Sequence, residues 1–335
     1  MMRKQATQTI GLVLCVLMLA FGGAAAGAER IVMRLAHDHT ITSPINMSAE
    51  FFKNKVEADS GGRMEVQVFP AQQLGSAREM IESMQMGIIE ATLLPTARYS
   101  VFDQRFNFAD MPFLFPNDDV MWAVLDGEAG KLAMSGLPDI GMFGVRFFAQ
   151  GWKTVTSNRL IKTLDDIQGQ RMRTMEVPII MAQFSAWGAN PVPIDFTEVY
   201  NSLQLNVVDG QENPIVTVHD MRFFEVQSHM MFLNHAYLSY FLSFGLNWYN
   251  SLPADLQEVL LNAALEAAVH QRNLTDAVNA EYLENMRPHI EFVYFTDAEK
   301  EQWIEAVQPL RQEFRDFIGG DLLDKVAEEV KLHSN

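Results

Sequence analysis

The mature part of the chain opens with apolar positions that change rhythm from element to element. Ile31 to His37 (IVMRLAH) alternates and then breaks into polar residues, the pattern of a strand with one face buried. Met47 to Ala58 (MSAEFFKNKVEA) spaces its apolar residues along one helix face, and Ser60-Gly61-Gly62 stops it. Met64 to Phe69 alternates again. Ser76, with Glu79 three positions on, carries the spacing of a capping box and opens a helix running to Met86. Ile88 to Leu94 reads as a third, mostly apolar strand. This order predicts parallel strands with helices packed on them.

A second unit of the same kind begins near Gly151. Its strands are predicted at Thr154 to Thr156, Arg171 to Thr174, Val192 to Ile194 and Val207-Val208. Its helices are predicted at Pro178 to Trp187 and Thr197 to Leu205. From Ala254 to Met286 the helical rhythm runs without Pro or Gly, and 298–318 and 322–332 continue it. The expected fold is α/β and two-lobed, with mixed sheets flanked by helices and a long C-terminal helical region. Lobe one is expected over 29–150 plus about 239–278, and lobe two over 151–238 plus about 279–335. In such sheets ligands gather beyond the carboxyl ends of the strands, so His37, Asp38 and His39 after the first strand, and Thr96, Arg98 and Tyr99 after the third, are placed to face a cleft.

The first 28 residues are set apart. Arg3 and Lys4 precede the short apolar run Ile10 to Phe21, and Ala26-Gly27-Ala28 offers a signal-peptidase site. An apolar run of about 12 residues is too short to span roughly 30 Å of hydrocarbon, so export to the periplasm with cleavage near Ala28 is expected in place of a membrane anchor. Cleavage removes Cys15, the only cysteine. Leu14 stands before it, where a lipoprotein signal carries a small residue. The cysteine-free remainder excludes disulfides, thiolate metal sites and cysteine nucleophiles. A formal charge of -17 repels phosphate backbones, so nucleic acid is excluded as a partner, and an anionic ligand must be held by a few local cations. His37, Asp38 and His39 diverge along a strand and lack a fourth ligand, so neither metal nor cofactor is expected.

The most informative block runs from Asp166 to Asn234. It holds Gly169-Gln170-Arg171-Met172-Arg173, Trp187 to Pro193 (WGANPVP), Phe196-Thr197-Glu198-Val199-Tyr200 and Val208 to Pro214 (VDGQENP), and ends with Phe223 to Gln227 and Leu233-Asn234-His235. Upstream stand Gln73-Leu74-Gly75-Ser76, Arg78-Glu79-Met80 and Met111 to Phe115 (MPFLF). Together, and in this order, these segments resemble the extracytoplasmic solute-binding subunits of TRAP transporters. The resemblance implies a non-enzymatic receptor that closes over an organic acid and delivers it to TRAP membrane permease subunits. It implies that Arg173 pairs with the ligand carboxylate, that Asn213 hydrogen-bonds the same group, and that Phe196 packs against the ligand.

The residues themselves agree in part. Arg173 ends a predicted strand, where its planar fork of donors can meet a carboxylate with two parallel bonds. A salt bridge to Asp165, Asp166 or Glu176 is the plainer alternative. Arg171, two residues earlier, is expected to point away from the cleft and is read as a surface charge. Where family members carry a second arginine, Gly151-Trp152-Lys153 stands here, so Lys153 would give a single ammonium contact and Trp152 a ring face. Acids that sialate binders place near the cleft are replaced by Ala77 and Pro95. His37, Arg98 and Tyr237 complete the candidate set, each with a structural or surface alternative, and Tyr240 is read with Tyr237 as ligand contact or core. The lysine beside a tryptophan favours a sugar-acid, keto-acid or aromatic monocarboxylate over a C4-dicarboxylate unless Arg98 turns inward. Two other readings are an exported carboxylate-dependent hydrolase or lyase, for which no nucleophile elbow or zinc motif is present, and a sensor-associated binding protein.

Overall fold

A computed structural model describes residues 30–334, so the expected signal peptide lies outside the described residues. Among these are ten strands: β1 (Ile31–His37), β2 (Met64–Phe69), β3 (Ala91–Pro95), β4 (Met142–Ser157), β5 (Arg171–Thr174), β6 (Asn190–Pro193), β7 (Gly210–Pro214), β8 (His229–Phe232), β9 (Tyr237–Gly245) and β10 (Glu291–Tyr294). They run in the order β2-β1-β3-β9-β4-β7-β5-β6, with β8 pairing β4 and β10. β1 is parallel to β2 and β3, and β5 to β6 and β7. β9 is antiparallel to β3 and β4, and β4 to β7 and β8, so the sheet is mixed as expected.

β4 joins two halves. Its first part, to Trp152, pairs with β9, and Lys153 to Ser157 pairs with β7 and β8. The predicted Thr154–Thr156 strand is only the end of this long element. The register with β9 slips between Ala149 and Gly151, and Gly151 takes φ +134, a conformation in which a Cβ would lie 3.1 Å from that of Pro214.

Several elements follow their local chemistry closely. β1, β2, β5 and the helix Ala254–Met286 have the bounds their periodicity predicts. The Ser76 box is formed, with Ser76 N–H donating to Glu79 Oε2 at 2.7 Å. The first helix starts earlier than Met47, at Pro44, because Ser43 caps it by accepting from Asn46 N–H at 3.2 Å and Pro44 suits its first turn. The strand expected at Val207-Val208 lies further on: those two residues form a bend, and the segment around Glu212 and Asn213 is the strand, β7, inserted between β4 and β5. Helix Ala254–Met286 packs on helix Pro44–Asp59, on β4 and on helix Ile215–Asp220, and so touches both halves. Helix Asp297–Glu313 packs on Pro178–Ala186. The last helix, Gly320–His333, expected with lobe two, packs on Asp118–Asp126 and Glu128–Met134 of the lobe-one segment. There Glu329 caps the Glu128 helix, accepting from Glu128 N–H at 2.9 Å.

Candidate functional site

The register of three strands sets which side chains can meet. β5 pairs Arg173 with Gln211 on β7, and β4 pairs Thr154 with Asn213 and Val155 with Glu212. Side chains alternate between faces along a strand. Arg173, Gln211, Asn213 and Thr154 therefore share one face, and Lys153, Val155 and Glu212 share the other. A polar chain steadies the first face: Asn213 donates to Gln211, Gln211 to Thr156 Oγ1 at 3.0 Å, and Thr156 to Gln227 at 3.0 Å.

On that face Arg173, Asn213 and Phe196 meet Arg98, Asp38 and Tyr240 around one cavity, with Pro95, Met175 and Leu238 filling its walls. The space left is about 10 Å³, room for a single water at most, so a larger solute enters only if the walls part. Arg173 is buried, and its Nε and Nη2 both donate to the Ile194 carbonyl at 3.0 and 2.9 Å. No carboxylate among the described residues pairs with it, so the salt-bridge alternative does not hold. Burial, with the nearby Arg98 charge, lowers its pKa to about 9, which still leaves it charged at neutral pH. Arg98, from the short helical turn after β3, also makes no ion pair among the described residues, and its Nε is buried without a hydrogen-bond partner. Two guanidiniums thus converge where this chain supplies a single carboxylate, Asp38. Burial raises Asp38 to about 6, opposed by the hydrogen bond it accepts from Tyr240 at 2.9 Å and by the Arg98 charge. Phe196 is set by a tight turn capped by Asp195, which accepts from Thr197 N–H at 3.2 Å.

Four expected residues lie elsewhere. Lys153 is 1% exposed and binds Asp110 Oδ1 at 2.8 Å and Glu212 Oε1 at 2.9 Å, because strand alternation turns it to the Glu212 face. Glu212 also pairs with His235 Nε2 at 2.6 Å. Burial would neutralise these groups, yet their mutual pairing keeps Lys153 raised and Glu212 lowered. Trp152 donates to Asp118 Oδ1 at 2.9 Å and lines a separate cavity of about 440 Å³ with Phe113, Phe115 and Asn234. Tyr237 packs edge-on against Trp152 and Trp122, so the ring at the Arg173 cavity is Tyr240. Three positions apart on one strand, Tyr237 and Tyr240 face opposite ways, and only one could line the site. His37 is buried behind the wall. Its Nδ1 accepts from His39 N–H at 3.3 Å and its Nε2 donates to Asn46 Oδ1 at 3.1 Å, which makes it a neutral structural imidazole that burial lowers to about 4. Asp38, its neighbour, takes the wall position. Arg171 is a surface charge as read, paired with Asp209 at 2.7 Å.

The sequence matches the family described as bacterial extracellular solute-binding protein, family 7, over residues 35–316. It is 30% identical over 302 residues to the C4-dicarboxylate-binding periplasmic protein DctP of Rhodobacter capsulatus, covering 89% of this chain and 91% of that one. It is 28% identical to the 2,3-diketo-L-gulonate-binding periplasmic protein YiaO of Escherichia coli, over 93% and 91% of the two chains. Among solved structures, the sugar acid binding protein DctPAm of Advenella mimigardefordensis, in complex with galactonate, superposes with a TM-score of 0.88 at 30% identity, over 91% of this chain and 99% of that one. A TRAP periplasmic solute binding protein of Sulfurospirillum deleyianum with bound succinate gives 0.84 at 29% identity, over 89% and 98%.

Proposed function

Because the chain belongs to bacterial extracellular solute-binding protein family 7, the DctP-type solute-binding proteins of TRAP transporters, we propose that it works in the periplasm, captures an organic acid at the Arg173 cavity and delivers it to a TRAP membrane permease. The observation that carries this reading is a buried arginine with no carboxylate partner, facing Asn213 and a second arginine. A buried charge left unpaired is costly, and a ligand carboxylate on the guanidinium removes that cost with charged hydrogen bonds of roughly 1.5–3 kcal/mol each. Capture without turnover fits the family, whose members are solute-binding proteins. Among the described residues no helix is long and apolar enough to cross a membrane.

The closed cavity calls for a hinge. We place it where β4 passes from β9 to β7, at the irregular Gly151, with the lobe bearing Asp38, Arg98 and Tyr240 closing on the lobe bearing Arg173, Asn213 and Phe196. The test is calorimetry on refolded, ligand-free protein against a panel of organic acids. Arg173→Lys keeps the charge but loses the fork, and is expected to weaken carboxylate binding at least about tenfold. An unchanged dissociation constant would remove the clamp. Conversion of the bound acid, followed by mass spectrometry, would restore the hydrolase or lyase reading. X-ray scattering should show a more compact particle with ligand than without.

A further inference from the structure

The charge balance of the Arg173 cavity goes further than the word acid. Resting on the solute-binding reading above, we propose that the ligand is a hydroxylated monocarboxylate of the aldonate type, and that Asp38 selects a hydroxyl group over a second carboxylate. Arg173 and Arg98 bring two positive charges to the walls, and Asp38 brings one negative. The remainder is one positive charge, which one carboxylate matches. A dicarboxylate would bring its second charge to a wall already balanced.

The chemistry of Asp38 points the same way. Its carboxyl group is almost fully buried and takes donors from Tyr240 and from its own backbone N–H. An ionised carboxylate has about four acceptor positions and no donor, so any ligand group brought against it must donate. A sugar hydroxyl does so, whereas a carboxylate repels. Sites built to accept from a hydroxyl reject analogues without one strongly, because the buried polar group is then left unpaired. The lysine beside a tryptophan, from which a monocarboxylate is expected on sequence grounds, plays no part: both residues lie off this cavity.

The experiment measures galactonate, erythronate, hexanoate, butyrate and succinate by calorimetry on the ligand-free protein, its Asp38→Asn variant and its Arg173→Lys variant. In the parent protein a hydroxylated acid is expected to bind at least about tenfold tighter than succinate and than the unhydroxylated acid of equal length. Asp38→Asn is expected to narrow the aldonate-to-succinate ratio at least about tenfold. Succinate binding tighter than both aldonates, or a ratio unmoved by Asp38→Asn, overturns the proposal. The parent ranking alone decides it should the variant not fold. Binding that Arg173→Lys weakens but whose ranking favours succinate sinks this proposal and leaves the solute-binding reading standing. A panel in which nothing binds removes both.

Discussion

Lys153 and Arg173 are buried cations two strands apart, with β7 between them, and their surroundings are opposites. Lys153 holds two carboxylates within 3 Å, and one of these holds a histidine in turn. Arg173 holds a single carbonyl oxygen and shares its cavity with another cation. Both are long basic side chains on strands that flank β7, and the difference is which face each occupies. A cation whose counter-charge is built into the chain serves the fold, while one without it waits for a partner from outside. The contrast is a better guide to the ligand than the presence of a basic residue at a given position.

The widest break in that comparison is Lys153→Met beside Arg173→Met. The first strands Asp110 and Glu212 in the interior and should cost about 3–5 kcal/mol of stability. The second loses two bonds to the Ile194 carbonyl but also removes an uncompensated charge, so ligand-free stability should move by no more than about 1 kcal/mol. Urea unfolding of the ligand-free proteins checks both. Equal losses would mean that Arg173 is as structural as Lys153.

A smaller effect separates the residues behind the cavity from those on it. His37 falls from 6.5 to about 4 because burial disfavours its charged form. Its folded value lies below its unfolded one, so its neutral form supports the fold above pH 6.5, and that support is lost as pH falls toward 4, by about 3 kcal/mol in all. His39, lowered to about 3 by burial and then by the His37 charge, adds loss in the same direction. Asp38 opposes them: raised to about 6, it penalises the fold when ionised, and that penalty is relieved as pH falls from 6 to 3.8. Removing the His37 contribution should make the change in stability between pH 6.5 and 4 less unfavourable in His37→Gln than in the parent. Thermal melts across that range decide it, and a variant as acid-sensitive as the parent would free His37 of the role.

The elements were readable wherever rhythm and stop signals agreed, as at β1, β2 and the Ser76 helix. Arg173, Asn213, Phe196 and Arg98 do gather around one cavity. What stayed hidden depended on long-range pairing. β9 is buried at every residue, so its sequence YLSYFLSFG has no polar face to alternate with. β7, with Gly at one end and Pro at the other, reads as a loop until β4 and β5 flank it. Without β7 the parity of Lys153 against Asn213 could not be counted, and Lys153 was expected at the ligand. Asp38 and Tyr240 were within reach of sequence reasoning, as neighbours of residues that were chosen, but only the strand faces separate them from His37 and Tyr237.

Trp152 gives the finest test of the same division. It was expected to offer its ring to the ligand, yet its indole N–H donates to Asp118 and its ring packs against Tyr237, beside a cavity that contains neither arginine. Trp152→Phe keeps a ring and removes the donor, leaving Asp118, whose pKa burial already raises, without it. One hydrogen bond to a charged group at a half-exposed position is worth about 1 kcal/mol, so a small loss of stability is expected. Affinity for an acid that Arg173→Lys weakens should not change, because no contact of the Arg173 cavity is altered. Calorimetry and unfolding on the same preparation separate the two quantities. A loss of affinity at unchanged stability would bring Trp152 back to the ligand and show that the cavity closes on a larger set of residues than the one around Arg173.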